Sequence, residues 1–212
     1  MIEVNNVAFT YPHTKKQIFS NYSIVFERNE ITAVTGNNGA GKTTLSKLLV
    51  GILRPDAGSI VIDGADIGRM DLCAIGKKVG YVFQNPDRQL FNDTVYNEVA
   101  FGLYIMKLPN DEIEQKASHY LSLFGLTQYR DAFPGKLSHG EKQRLALAAV
   151  LALGADYLVL DEPTTGLDIR RQRELGNLLE NLRSGHGCGI ILITHSNEFS
   201  SCYASKRVVI AQ

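Results

Sequence analysis

Residues 36–43 read Gly-Asn-Asn-Gly-Ala-Gly-Lys-Thr, a complete G-x-x-x-x-G-K-[ST] pattern. Each residue type there has a chemical reason. Gly36, Gly39 and Gly41 allow positive φ, so the backbone can wrap closely around an anion. The amides of Asn37, Asn38, Gly39, Ala40 and Gly41 then converge on it. Those of Lys42, Thr43 and Thr44 open a helix whose N-terminus favours negative charge. Lys42 reaches the outer phosphates of a nucleoside triphosphate, and Thr43 offers a hydroxyl to Mg²⁺. The run Glu30–Thr35 reads as a strand leading into this loop and Thr43–Val50 as a helix leaving it. That is the order phosphate binding requires.

A second group closes the apolar run Tyr157-Leu-Val-Leu160, where Asp161 and Glu162 follow in sequence. Ligands of α/β sheets gather beyond the carboxyl ends of strands. Asp161 is placed to hold Mg²⁺ through water, and Glu162 to polarise an attacking water. Two acids at a strand end are, taken alone, more often simply solvated. The phosphate-binding loop is what gives this pair a task.

The elements that must position these residues come next. Ile2–Phe9, Tyr22–Phe26, Ser59–Ile62 and Val79–Phe83 read as further strands. Thr94–Met106 and Asn110–Phe124 read as helices; in the second, Ile113, Ala117, Tyr120, Leu121 and Phe124 share a face. Ser138, with Glu141 three residues on, forms a capping box for a helix through Leu153. Tyr157–Leu160 is a strand, Asp168–Leu182 an amphipathic helix, Gly189–Thr194 a strand that ends at His195, and Val208–Ile210 a last strand. The pattern predicts a parallel α/β core interrupted by an all-helical segment, Asn85–Gly154.

Composition excludes several functions. The 212 residues carry 22 Lys+Arg and 22 Asp+Glu, a net charge of zero. A general polyanion binder needs a basic surplus, so no nucleic-acid partner is expected. Cys73, Cys188 and Cys202 are odd in number and widely spaced, which predicts neither a disulfide framework nor a zinc site, and a reducing compartment. The first residues lack the basic and apolar regions of a signal peptide, and the longest apolar run, Leu145–Leu153, is about half a bilayer span. The expectation is a soluble chain that reaches a membrane only through a partner.

The motifs occur in a characteristic order. Tyr11, the phosphate loop, Gln84, Leu137-Ser138-His139-Gly140-Glu141, the Asp161-Glu162 strand, Thr164-Thr165-Gly166-Leu167-Asp168 and His195 make the chain resemble the nucleotide-binding subunits of ATP-binding cassette (ABC) proteins over nearly all its length. The resemblance implies a P-loop NTPase fold of ABC type. Its core sheet is mainly parallel, with an N-terminal antiparallel β-subdomain and an inserted helical subdomain. It implies one ABC ATPase domain over 1–212, with a nucleotide-binding core at 1–84 and 154–212 and a helical subdomain at 85–153. ATP and Mg²⁺ are the implied cofactors, and transport-coupled ATP hydrolysis the implied activity. Tyr11 would stack on adenine, and Gln84 would meet Mg²⁺ and the γ-phosphate. Asp168 belongs to the D-loop beside the nucleotide, and His195 would contact the γ-phosphate and hold the water. Two ATPase subunits, identical or sisters, would pack head to tail. Ser138 and Gly140 would then complete the partner's site.

Gly80–Phe91, with Thr94-Val95 and Glu98–Gly102, looks more narrowly like the ATPases of energy-coupling factor (ECF) transporters, which import vitamins and transition-metal ions. That likeness implies a transmembrane coupling subunit and a substrate-binding membrane subunit as partners, and a place on the cytoplasmic face of the membrane. An ATPase of another ABC type is the alternative, and a non-transport ABC ATPase a further one. The signature departs from the usual LSGGQ: His139 replaces a glycine and Glu141 a glutamine. An acid there is tolerable if it turns to the ribose or caps its own helix. The sequence stops at Gln212, from which no C-terminal regulatory domain is expected.

Overall fold

Period-two alternation buries Ile2 and Val4 and, after a register shift between Val4 and Val7, Val7 and Phe9 on the first strand, while continuous apolar runs give strands buried on both faces. The computed structural model describes residues 1–12 and 16–210. The strands are β1 (Ile2–Thr10), β2 (Gln17–Phe26), β3 (Ile31–Thr35), β4 (Ala57–Ile62), β5 (Ala65–Asp66), β6 (Val79–Val82), β7 (Tyr157–Asp161), β8 (Gly189–Ile193) and β9 (Lys206–Val209). The helices are α1 (Lys42–Leu49), α2 (Leu72–Gly76), α3 (Val95–Ile105), α4 (Asn110–Leu123), α5 (His139–Ala152), α6 (Ile169–His186) and α7 (Asn197–Tyr203). They fall into two compact units, Met1–Tyr81 with Asp156–Gln212, and Val82–Ala155.

The first unit holds two sheets. An antiparallel one has the order β2-β1-β4-β5, and the other runs β6-β7-β8-β3-β9. In the latter the β7–β8, β8–β3 and β3–β9 pairs are all parallel. Register then fixes the site. Asp161 pairs with Ile193, Ile193 with Val34, and Val34 with Val208, so one row crosses the sheet at its carboxyl edge. Every residue of β7 and β8 is buried. Burying Leu158 and Leu160 stabilises the fold by about 1.5–3 kcal/mol each.

The loop between β3 and α1 is built on two glycines that no other residue could replace without strain. Gly36 has φ 151, and a Cβ on it would lie 2.6 Å from the Ile210 carbonyl oxygen. Gly41 has φ 104, and its Cβ would lie 2.6 Å from Ile18 Cγ2. The phosphate loop is thereby pressed against β2 on one side and against residue 210 on the other.

The second unit is helical. Thr94 caps α3, and Ser138 with Glu141 forms the capping box of α5. Leu145, Ala146, Leu147, Ala148, Leu151 and Ala152 of α5 are buried, as are Val99, Ala100 and Leu103 of α3 and Ile113, Ala117 and Leu121 of α4. Arg130 ties this unit further, 2.8 Å from Glu114 and 4.1 Å from the centre of the Tyr96 ring.

The boundaries differ from the sequence reading in particular places. β2 begins five residues before Tyr22, and α6 runs to His186 until Gly187, at φ 68, ends it. Short α2 and α7 were not expected, because neither is long enough to show a period. Their caps, Asp71 and Ser196, were the available signal. The last strand is Lys206–Val209, not Val208–Ile210, and the chain end at Gln212 lies outside the described residues. Among the described residues, no helix is long and apolar enough to cross a membrane.

Candidate nucleotide site

The phosphate loop borders a cleft of about 330 Å³ lined by Tyr11, Ile18, Asn38, Gly39, Gly41, Lys42, Thr43, Thr44 and Glu162. Lys42 is buried at 8% exposure, and its ammonium donates to the Gly36 carbonyl at 2.8 Å and the Asn37 carbonyl at 3.1 Å. These bonds hold the loop closed on its own lysine. An incoming phosphate can replace two neutral acceptors with charged ones, which is the stronger bond. Ala40 N–H donates to the Asn37 carbonyl at 3.1 Å, completing the turn. The apolar end of the cleft is made by Ile18 and Tyr11. Tyr11 packs edge-on against Phe9 at 5.0 Å, with its hydroxyl 3.2 Å from Thr44 Oγ1.

At the end of β7, Asp161 is 8% exposed, and burial pushes its carboxyl above the usual range. Hydrogen bonds from Tyr81, at 3.0 Å, and from Thr43 pull the other way. Tyr81 also sits 3.4 Å from Ser46 Oγ. Neither Tyr81 nor Ser46 stood out in the sequence, since nothing there says that β6 lies beside β7.

Glu162 leaves the sheet with φ 48, a left-handed conformation that costs a non-glycine residue about 1–2 kcal/mol. Its N–H still donates to the Ile193 carbonyl at 2.8 Å, and its carbonyl accepts from Thr165 N–H at 3.1 Å, so a turn follows at once. Strain of this kind gathers where a side chain must be aimed. Here it sets the carboxylate 2.8 Å from His195 Nδ1, with the His195 backbone N–H at 3.3 Å from the same oxygen. Glu162 is mostly buried and the His195 ring mostly exposed. The two residues, 33 apart in sequence, meet because β7 and β8 are neighbours in register.

Thr43 and Asp161 supply a hydroxyl and a carboxylate, an all-oxygen set that suits Mg²⁺. Among the described residues, no cluster of three or more His, Cys, Asp or Glu could hold a metal by itself.

Asp168 is not part of the cleft lining. Its carboxylate caps α6, accepting from Arg171 N–H at 2.8 Å. Ser138, Gly140 and Gln84 belong to the second unit. Ser138 is exposed, and its Oγ accepts from Glu141 N–H at 3.4 Å. Glu141 accepts from Ser138 N–H at 2.7 Å, and hydrogen bonding to Ser138 holds its carboxyl below the usual range. The unusual acid of the signature is thus spent on capping its own helix. Gln84 is exposed and precedes Asn85, whose side chain accepts from Asp87 N–H at 3.0 Å and caps the single turn Pro86–Arg88.

The Asp161 shift carries a stability prediction. A raised folded pKa means that the native state binds more protons than the unfolded chain just above the ordinary carboxylate pKa. Stability falls as pH rises through that window and levels off above the folded value. Asp161→Asn keeps an acceptor for Tyr81 and removes the buried charge. In thermal unfolding at pH 8 without nucleotide it should raise Tm by about 2–4 °C, near 1 kcal/mol for a chain of this size. The gain should shrink toward pH 4. A lowered Tm at pH 8 would contradict it.

The comparisons with known proteins agree with this geometry. A family model described as ABC transporter matches residues 19–165. The energy-coupling factor transporter ATP-binding protein EcfA of Methanothermobacter thermautotrophicus is 41% identical over 212 residues, 99% of this chain and 68% of that protein. A Methanosarcina acetivorans protein named for ABC transporter ATP binding is 42% identical over 198 residues, and there the match takes in 92% of this chain but only 32% of the longer relative. Among solved structures, CbiO1 of Clostridium perfringens, described as part of the ABC transporter complex CbiONQ, superposes with a TM-score of 0.90 at 35% identity, over 98% of this chain and 83% of CbiO1. The phosphate loop, the buried strand with its two acids and the sheet order are therefore those of a known ATPase fold, and this chain belongs to the ABC transporter ATPase family.

Proposed function

We propose that the chain binds and hydrolyses ATP to power an ABC importer, of the energy-coupling factor kind that takes up a vitamin or a transition-metal ion. The observation that carries the hydrolytic part is the Glu162–His195 contact on the rim of a cleft lined by Lys42 and the phosphate loop. In the proposed cycle Lys42 gives up the Gly36 and Asn37 carbonyls for the β- and γ-phosphates, joined by the amides from Asn37 to Thr44. Tyr11 stacks on the adenine. Glu162 takes a proton from the attacking water, and His195 orients that water and touches the γ-phosphate. Thr43, Gln84 and, through water, Asp161 would hold Mg²⁺, which would supply positive charge against that of the phosphates.

The chain works as one ABC ATPase domain over 1–212, with a nucleotide-binding core at 1–84 and 154–212 and a helical subdomain at 85–153. Two such subunits pack head to tail, so that Ser138 and Gly140 of one complete the phosphate site of the other, with Asp168 nearby. The pair sits on the cytoplasmic face of the membrane, against a transmembrane coupling subunit and a substrate-binding membrane subunit. The likeness to EcfA over nearly the whole chain, and to CbiO1, supports the energy-coupling factor reading. The membrane face is the exposed apolar set Phe91, Phe101, Tyr104 and Ile105 of the second unit, 40–67% exposed. An importer needs a membrane-crossing part, and no described helix supplies one.

The alternative is an ATPase of another ABC transporter type, which shares all of the chemistry. What co-purifies with the tagged chain from detergent extracts separates the two. A polytopic coupling protein with a small solute-binding membrane protein supports the first, and a paired permease without one supports the second.

The head-to-tail arrangement has its own test. Lys42→Ala and Ser138→Ala should each lower ATP hydrolysis roughly 100-fold, since each removes a phosphate contact from both sites of a homodimer. A mixed dimer of the two variants has one site with both defects and one with none. Mixing should therefore restore hydrolysis well above either parent. Verified mixed dimers that stay silent would contradict the shared site.

A further inference from the structure

Asp161 takes a hydrogen bond from Thr43 of the phosphate loop and another from outside it. The outside donor is Tyr81 of β6, whose hydroxyl donates to Asp161 Oδ2 at 3.0 Å, 80 positions away in sequence. A tyrosine hydroxyl brings one proton, and here it goes to a carboxylate oxygen. Behind the tyrosine stands Ser46 of α1, which is fully buried, with its Oγ 3.4 Å from the Tyr81 oxygen, a long hydrogen bond. Ser46 in turn donates to the Thr43 carbonyl at 2.9 Å. The contacts close on themselves. They run from Asp161 to Tyr81, from Tyr81 to Ser46, from Ser46 to the Thr43 backbone, and from the Thr43 hydroxyl back to Asp161.

This circuit ties together the two oxygen groups that suit Mg²⁺, the Thr43 hydroxyl and the Asp161 carboxylate. An aspartate at a strand end can turn about two side-chain bonds. A donor fixed on the neighbouring strand takes one lone-pair direction of Oδ2 and so sets the plane of the carboxylate. The tyrosine is itself held, because its ring packs on the main apolar cluster of the first unit. Tyr81 is not among the residues that line the cleft, so it reaches the site through Asp161 and not through the nucleotide. Groups that orient a metal-holding carboxylate change metal affinity by about 10–100-fold when they are removed.

We propose that Tyr81 is a positioning residue for the metal, holding the Asp161 carboxylate in the orientation that receives the water shell of Mg²⁺, with Ser46 steadying the tyrosine. The proposal rests on the ATPase reading above and adds to it a residue outside the motifs which that reading uses. Because Tyr81 acts through Asp161, its loss changes metal affinity and leaves the binding of metal-free nucleotide as it was.

The test uses the full chain, a non-hydrolysable ATP analogue, and Mn²⁺ as a stand-in for Mg²⁺, with free Mn²⁺ followed by electron paramagnetic resonance. Tyr81→Phe keeps the ring and loses the hydroxyl. It should weaken Mn²⁺ binding to the analogue complex by about tenfold. Affinity for the analogue in EDTA should stay at the wild-type value. The Mg²⁺ concentration that half-saturates ATP hydrolysis should rise by the same factor, with a smaller change in the rate at saturating Mg²⁺. In an Asp161→Ala background Tyr81→Phe should add nothing, since the group that it orients is gone. Ser46→Ala should shift Mn²⁺ binding in the same direction by a smaller factor. Equal Mn²⁺ binding by wild type and Tyr81→Phe overturns the proposal. So does a loss that adds to that of Asp161→Ala, or one that appears equally in EDTA, which marks a tyrosine with a purely structural role. A wild-type chain that binds the analogue but no Mn²⁺ with it overturns the metal site and this proposal together, and one that binds no analogue overturns the ATPase reading on which both stand. Should Tyr81→Phe not fold, Ser46→Ala decides, and wild-type Mn²⁺ affinity there overturns the proposal.

Discussion

A carboxylate has to stand at the end of a strand that has no water on either face. β7 is buried from Tyr157 to Asp161, and that burial makes the strand stable while making a charge on Asp161 expensive. The surrounding residues answer this cost. Tyr81 and Thr43 donate hydrogen bonds to Asp161, and Lys47 adds a favourable charge. The same register that sets Asp161 opposite Ile193, and Ile193 opposite Val34, sets the start of the phosphate loop and the chain leading to His195 on one edge. The parallel order of β7, β8 and β3 is thus what turns three distant sequence motifs into one place.

Glu162 is handled differently. It is one residue past the strand, and a left-handed backbone turns it toward His195. Glycine would adopt that conformation at less cost but would carry no carboxylate. The strain there, like the buried charge next to it, is set against the apolar burial of β7 and β8.

Much of this was legible in the residues. The glycines and Lys42 of the loop, the acids after Leu160 and the histidine after β8 are short-range patterns, and each sits where its strand or helix was expected. The capping box at Ser138 likewise depends on two residues three apart. What could not be read were relations between strands and loops distant in sequence. Tyr81 matters because β6 neighbours β7, and Ser46 matters because α1 brings it beside that tyrosine. The carboxylate of Asp168, read in the sequence as part of the D-loop, also caps α6. Short α2 and α7 escaped because a helix of five or seven residues has no period to detect. The left-handed turn at Glu162 had no sequence signal at all.

Glu162 is the proposed base, and the most direct test measures ATP binding and single-turnover hydrolysis on the same Glu162→Gln protein. Glutamine keeps the size and a hydrogen-bonding group and loses the charge. ATP affinity should stay within a few-fold of wild type while hydrolysis falls by about 100-fold or more. The ATP-bound protein should then accumulate as a dimer on size exclusion. Hydrolysis near the wild-type rate with unchanged binding would contradict the role given to Glu162, the residue just past β7.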